Sequence, residues 1–178
     1  MSDDPRDGLV EVIAEEPGWA TALPDLPALA ETAAGLALTA EARDPTRWTL
    51  ALLACSDARI ATLNAEFRSR ARPTNVLSWP SFTVLPRDDS LPTLERTHLG
   101  DLAIALETVA FEADQAGISL KHHAIHLILH GCLHLLGYDH ANEAEAVRME
   151  RTEARLLAGL GIADPYQRGS APSAHLNG

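Results

Sequence analysis

Four short segments of the chain have the hydrophobic pattern of β-strands. Residues 9–15 alternate between apolar and polar positions, as a half-buried strand does. Residues 48–55 are apolar on both faces, which predicts a central strand covered on both sides. Residues 76–79 and 99–106 complete the set of four. The segment at 76–79 is placed at a sheet edge, because Pro80 cannot donate a ladder hydrogen bond.

Longer segments repeat their apolar positions with the period of a helix. Five helices are predicted, over residues 24–39, 56–68, 107–116, 119–136 and 142–160. Asp25 and Ser56 are positioned to cap the first two, and Ile60, Leu63 and Phe67 are expected to face inward. The fourth helix is apolar nearly all round, so it is expected to be buried at the centre. The sum is an α+β fold, with a small mixed four-stranded sheet packed by about five helices.

The length of 178 residues suits one domain with a core of its own. We expect this domain to cover residues 9–166, between a flexible arm at 1–8 and a disordered tail at 167–178 that is rich in Ser, Gly and Pro. The sequence shows no segment of membrane-spanning length and no signal peptide at its start. Cys55 and Cys132 are interpreted as reduced core thiols, which favours a cytoplasmic protein.

The segment HGCLHLLGYDH, residues 130–140, has the spacing of a metal site. His130 and His134 lie four residues apart, on one face of the predicted helix. Gly137 supplies the turn that ends the helix, so that His140 can return toward the first two imidazoles. Three imidazole ligands leave a coordination position open, as in catalytic zinc sites. Zinc is therefore the predicted metal, although three imidazoles also suit nickel or another divalent transition metal.

The same ligand spacing occurs in the H-E-x-x-H-x-x-G-x-x-H pattern of metzincin proteases. Those proteases carry a glutamate as general base directly after the first histidine, where this chain has Gly131. A peptidase would need its base from elsewhere. Asp139 is interpreted either as an acceptor for an imidazole N–H or as a turn residue. His126, one turn before His130, is either a satisfied core histidine or an added partner of the site.

The net charge of −11 argues against a general nucleic-acid coat protein, but positive charge is concentrated in one segment. Arg59, Arg68, Arg70 and Arg72 fall within fourteen residues that contain one acid. Arg68 ends a predicted helix, where its planar guanidinium can meet a phosphate. Arg70 and Arg72 fit a solvated surface equally well. Two residues of the predicted edge strand, Asn75 and Ser78, are candidates to line a groove.

Several motifs together resemble the YbeY family of bacterial endoribonucleases. The family pattern H-G-x-L-H-L-x-G-Y-D-H is present at 130–140, and LNAEFR at 63–68 resembles its L-N-x-x-[YF]-R element. PTNVLSWP at 73–80 and GDLAIA at 100–105 resemble two of its strands. The resemblance covers about residues 9–166. The chain departs from the pattern in a long loop at 83–98 and in the polar tail.

The resemblance implies a single-strand-specific, metal-dependent endoribonuclease of ribosomal RNA maturation and ribosome quality control. It assigns the metal ligands to His130, His134 and His140, and it matches Arg68 with the family's functionally important arginine. The implied partners are ribosomal RNA and the small ribosomal subunit or its assembly factors, and a monomer without membrane attachment is expected. Two alternatives stay open: a metallopeptidase-like hydrolase, and a non-catalytic ribosome-assembly factor with a structural metal.

Overall fold

Four strands form one mixed sheet in the computed structural model, which describes residues 7–167. They are β1 (Val10–Ala14), β2 (Trp48–Cys55), β3 (Val76–Pro80) and β4 (Thr97–Ala105), in the spatial order β1-β2-β4-β3. β1, β2 and β4 run parallel, and β3 is antiparallel to β4. β3 pairs with β4 alone among these strands, so the predicted edge position of the Pro80 strand is confirmed.

Six α-helices accompany the sheet between residues 7 and 167, and the α+β prediction is confirmed. They are α1 (Gly18–Ala22), α2 (Leu26–Ala40), α3 (Asp57–Arg68), α4 (Leu106–Ala116), α5 (Leu120–Leu135) and α6 (Glu143–Gly159). α5 packs against β3 and β4 and also touches α2, α4 and α6, so the apolar helix lies at the centre of the fold as predicted. The smaller apolar cluster around Ile60 lies where α3 meets β4.

Gly131 lets α5 approach the sheet closely. A Cβ added at this position would lie 2.7 Å from Cδ2 of Leu102 on β4 and 3.5 Å from Cγ2 of Val76 on β3. Real Cβ atoms essentially never stand as close to another carbon as the first of these distances, so a larger residue forces Leu102 to move. The glycine after the first histidine of the motif is therefore a packing residue of the helix–sheet interface.

α1 lies between the first predicted strand and the first predicted helix, where the sequence pattern predicts no element. The helix has five residues, too few for its own sequence to stabilise it. Its position follows from Trp19, which is 1% exposed and whose indole Nε1–H donates to the carbonyl oxygen of Cys55, 3.0 Å away. A tertiary contact therefore defines this element.

Two predictions for individual side chains were wrong. Asp25 occupies the N-cap position of α2, but its carboxylate does not cap the helix; it pairs with the Lys121 ammonium of α5 at 3.0 Å. Ser56 does cap α3, by accepting from the Arg59 backbone N–H. Phe67 does not face inward, since it is 60% exposed and touches Trp79 of β3 edge-on. The last turn of α3 lies at the edge of the sheet, beyond the core, and this position leaves Phe67 exposed.

The long loop predicted at 83–98 is only partly as expected. It is mostly exposed, but it contains a short 3-10 turn at Asp88–Ser90 and inserts Leu91 into the main core. Arg43 fixes the loop by donating to the carbonyl oxygen of Pro86 and to the carboxylate of Asp88.

Of the predicted arm and tail, residues 1–6 and 168–178 lie outside the described part of the chain. Between residues 7 and 167, the helices are all too short or too polar to cross a membrane.

Candidate metal centre

The three histidines of the motif come together at the C-terminal end of α5. His130 and His134 stand one turn apart, and their Nε2 atoms are 3.1 Å from each other. Gly137 has a φ of +96°, a left-handed conformation that ends the helix and turns the chain back. His140 then joins the pair, so that one ring nitrogen from each of the three lies within 4.8 Å of the others. The structure thus brings together the residues that the spacing predicted.

This donor set fits a divalent metal ion. Two nitrogens bound to one tetrahedral zinc, each at about 2.0–2.1 Å, lie about 3.3 Å apart, close to the observed separation of the two Nε2 atoms. His130 and His134 are 3% and 8% exposed, whereas His140 is exposed. Two ligands of the candidate centre therefore lie in the core and the third lies at the surface. One side of the centre faces solvent, as a site with an open coordination position requires.

The environment of His134 keeps its imidazole neutral. Burial and the neighbouring His130 lower the pKa of His134 to about 4, although its bond to the backbone acts in the opposite direction. Its Nδ1–H donates to the carbonyl oxygen of Tyr138 at 2.8 Å. The Nε2 lone pair therefore points to the centre, and the ring is in the form that binds a metal at neutral pH.

Glu153 of α6 orients His130 in the same way. Its Oε1 lies 2.5 Å from Nδ1 of His130, and its Oε2 lies 3.0 Å from Nε2 of His126 and accepts from the Tyr166 hydroxyl. Burial raises the pKa of this 0% exposed carboxyl, but the hydrogen bonds from His126 and His130 outweigh it and lower the pKa to about 2. An ionised carboxylate thus fixes His130 with its Nε2 toward the centre, where it meets the lone pair of His134. A cation satisfies both nitrogens.

The sequence interpretation missed Glu153, although a signal was present. α6 is amphipathic, and its buried positions are Met149, Glu153, Leu156 and Leu157. These positions lie on one helical face, so the glutamate occupies a place where an apolar residue is expected. A carboxylate at such a place needs a partner inside the protein, which a line of histidines on a neighbouring helix supplies.

Asp139 and His126 take up the simpler of the roles left open for them. The carboxylate of Asp139 accepts from the backbone N–H of His140 at 2.7 Å and so holds the turn after the helix. The imidazole N–H groups of His134 and His130 donate to the Tyr138 carbonyl and to Glu153, respectively. His126 is a buried histidine bonded to Glu153, outside the group of three nitrogens.

Arg68 lies at the last position of α3, beside the free edge of the sheet. Its Nη2 donates to the carbonyl oxygen of Ser78 on β3, 3.1 Å away, and β3 packs against α5. Ser78 and Asn75 are 3% and 2% exposed, so neither has much surface to offer to a substrate. The amide of Asn75 donates to the carboxylate of Glu112 and accepts from the Val76 N–H, which makes it part of a buried network.

The charge contributed by Arg59 is balanced locally. Its Nε lies 3.2 Å from a carboxylate oxygen of Glu15. Of the positive charge expected in this segment, the part that remains is therefore that of Arg68, Arg70 and Arg72. This group lies at the C-terminal end of α3 and in the loop that follows it.

Glu153→Gln is expected to weaken metal binding while the fold is preserved. Glutamine has nearly the same shape but is neutral, so it holds the His130 N–H less firmly and makes the ring a weaker ligand. Loss of such an outer partner costs about 10- to 100-fold in metal affinity. Competition titration of zinc against a chelator measures the change. Glu145→Gln, which removes the same charge from the exposed first turn of α6, serves as the control and keeps the parent affinity. Equal affinities for the two variants would contradict the assigned role.

Comparison with known proteins gives matches over most of the chain. A model of the family described as "Endoribonuclease YbeY" matches residues 21–161, a range that contains the three histidines, Arg68 and Glu153. An endoribonuclease YbeY of Jannaschia sp. (strain CCS1) is 49% identical over 160 residues, or 88% of this chain and 99% of that protein. One from Dinoroseobacter shibae is 46% identical over 172 residues, covering 93% and 94%. The solution structure of TM1509 from Thermotoga maritima superposes with a TM-score of 0.49 at 21% identity, over 89% and 99%, which adds nothing to the sequence matches.

Proposed function

Because this chain belongs to the YbeY family, we infer that it is a metal-dependent endoribonuclease, a hydrolase that cleaves RNA phosphodiester bonds. The observation that carries this inference is the group of three histidine nitrogens within 4.8 Å of one another, inside the range that the family model matches. A closed structural site recruits a fourth protein ligand, commonly cysteine. The exposed His140 instead leaves this centre accessible from solvent.

We propose that the resident metal is zinc, with His130, His134 and His140 as its ligands. Nickel or another divalent transition metal binds the same donor set. When bound, such an ion supplies Lewis-acid chemistry at a phosphoryl oxygen and promotes the ionisation of water near neutral pH. Glu153 and the Tyr138 carbonyl hold two of the three rings in the tautomer that this binding requires.

Arg68 is proposed to act on the phosphate itself. A guanidinium stays protonated at every physiological pH and has no lone pair for a metal, so its contribution is charge and hydrogen bonding. Negative charge builds up on the phosphoryl oxygens as the phosphodiester is attacked. Arg68, positioned by its bond to Ser78, donates to these oxygens in the transition state.

The two alternative functions find less support. A peptidase of the metzincin type needs a carboxylate where Gly131 packs against Leu102. A structural metal in a non-catalytic assembly factor has no need of an exposed third ligand or of Arg68 at the sheet edge.

The cellular role is a separate proposal and is more specific than RNA cleavage itself. We place this chain in ribosomal RNA maturation and ribosome quality control, acting on single-stranded segments of ribosomal RNA. Its partners are then the small ribosomal subunit or assembly factors bound to it. In this proposal residues 9–166 form one catalytic domain, and the protein works as a cytoplasmic monomer.

Metal removal tests the proposed activity. We expect zinc-loaded protein to cleave a labelled single-stranded ribosomal RNA fragment and to leave the same sequence intact in a duplex. Protein stripped by a chelator is expected to lose this cleavage and to regain it when zinc is returned. Circular dichroism of the stripped protein shows whether the fold persists. Equal cleavage before and after stripping would refute metal dependence. Absence of cleavage in every state, including nickel-loaded protein, would favour the non-catalytic assembly factor.

A further inference from the structure

Phe67 is an aromatic side chain that the core does not use. It is 60% exposed, although it lies only one residue from Arg68. Its ring centroid lies 5.5 Å from that of Trp79, with the planes 71° apart, so the indole supports the phenyl ring at the edge of β3. Trp79 itself is half-buried and packs against the apolar cluster under α3. The pair forms a fixed aromatic surface beside the proposed phosphate-binding arginine.

The neighbouring charges on this surface are positive. Arg70 and Arg72 are exposed, and no carboxylate between residues 7 and 167 lies within 4.0 Å of a guanidinium nitrogen of either or of Arg68. In a chain of net charge −11 this grouping of arginines is unusual. Arg59, near the other end of α3, is already paired with Glu15. The three arginines therefore have charge available for an anion.

The loop that carries these arginines is held in place. Ser69 ends α3 in a left-handed conformation, with a φ of +55°. Asn64, which is 4% exposed, accepts from the Arg70 backbone N–H through its own carbonyl oxygen. Its side-chain amide donates to the carbonyl oxygen of Arg72 at 2.9 Å. The backbone at Arg70 and Arg72 is thus tied to the buried face of α3, which reduces the ordering cost when a ligand binds.

We propose that Phe67, supported by Trp79, is a stacking subsite for an unpaired nucleobase of the substrate RNA, and that Arg70 and Arg72 bind the phosphates beside that base. An aromatic ring next to positive charge is the usual arrangement for single-stranded nucleic acid, since every base has a face that stacks. Aromatic and arginine side chains also occur at protein interfaces. The proposed RNA substrate and the neighbouring phosphate-binding Arg68 favour a nucleobase as the occupant here. The subsite rests on the proposed function, which makes RNA the substrate.

The position of the subsite has a consequence for selectivity. Phe67 contacts Trp79 and Arg68 donates to the carbonyl oxygen of Ser78, so both side chains reach adjacent residues of β3 and a base stacked on Phe67 lies near the arginine. Bases within a duplex are already stacked on their neighbours and cannot present a face to Phe67. The subsite therefore selects for unpaired nucleotides, which agrees with the proposed single-strand specificity.

Fluorescence anisotropy of a labelled single-stranded oligoribonucleotide on metal-loaded protein tests the subsite. Its 2′-O-methyl riboses block attack by the 2′-hydroxyl, and gel electrophoresis after the titration checks that water has not cleaved it. We expect Phe67→Ala to raise the Kd roughly 5- to 150-fold, the range for one lost base–aromatic stack, and Phe67→Trp to retain parent affinity. Phe67→Leu, apolar but without a π-face, is expected to behave like the alanine variant. Phe111→Ala is the matched control, because Phe111 is a phenylalanine of α4 that is 65% exposed. It should leave the Kd unchanged.

Abasic substitution distinguishes a stacked base from a general change in the protein. Each nucleoside of the probe is replaced in turn by an abasic one, and the Kd is measured for the parent and for Phe67→Ala. At one position the abasic probe should weaken parent binding as much as Phe67→Ala does, and the two changes together should add little more. Additive losses at every position, or a Phe67→Ala variant with parent Kd, would refute the subsite. Cleavage by the parent in the same preparation keeps that outcome separate from a failure of the proposed endoribonuclease activity.

Discussion

His134→Ala is expected to abolish metal binding and with it RNA cleavage. The variant loses a neutral, buried imidazole whose Nε2 lies 3.1 Å from that of His130, and two remaining ligands do not hold a divalent ion firmly. Polarisation by a metal is worth several kcal/mol, so cleavage should fall by on the order of 10³-fold or more. Metal content is measured by mass spectrometry of the purified protein. The rate of cleavage is measured with a single-stranded RNA as the substrate.

Stability supplies a second measurement that does not depend on activity. Zinc at 100 times its Kd stabilises a folded protein by about 2.7 kcal/mol, so added zinc should raise the Tm of the parent and not that of His134→Ala. His122→Ala is the matched control, because His122 lies on the same helix and is exposed. It should keep both the zinc response and the cleavage. A His134→Ala variant that still gained Tm with zinc would place the metal elsewhere.

Arg68→Ala is expected to separate cleavage from metal binding. The guanidinium is no ligand, so the variant should keep the parent metal content and zinc response. Cleavage should fall by on the order of 10²–10³-fold, the cost of removing one donor to a charged transition state. Arg68→Lys should recover little, because an ammonium lacks the planar fork of the guanidinium. Single-turnover rates on one RNA substrate measure all three proteins.

Arg59→Ala is the control for charge. Arg59 lies on the same helix, and its loss changes the net charge equally, but it is paired with Glu15. Its cleavage rate should stay near that of the parent. The bond from Arg68 to Ser78 is worth about 0.5–1.5 kcal/mol, so urea unfolding should show only a small loss of stability. Parent-like cleavage by Arg68→Ala would reduce the arginine to surface charge.

The sequence predicted those features that are encoded locally. The alternation of residues 9–15, the apolar run of β2 and the glycine after α5 each describe a stretch of backbone and its immediate surroundings. The three histidines belong to this class, because a helix turn and one glycine suffice to bring them together. The bounds of most elements therefore agree with the sequence to within one or two residues.

The features that were missed depend on which distant segments meet. Asp25 was expected to cap its own helix, but Lys121, 96 residues later, offers the carboxylate a charge. The inward position of Phe67 followed from helical spacing alone, which contains no information about where the sheet ends. Glu153 could be recognised as unusual on its helix, but its partners lie on α5. In the sequence, long-range pairing of this kind is visible at most as a polar residue at a position where an apolar one is expected.

The close contact of Gly131 with Leu102 separates two kinds of hydrolase. A glutamate at this position would begin inside the helix–sheet interface, where its Cβ alone lies 2.7 Å from a leucine methyl group, and would bring a charge into that interface. Overpacking of this kind typically costs about 1–3 kcal/mol before the charge is counted. A peptidase base at this position therefore also requires the Leu102 side chain to move or to become smaller, so that gaining the base is coupled to repacking of the interface between α5 and β4.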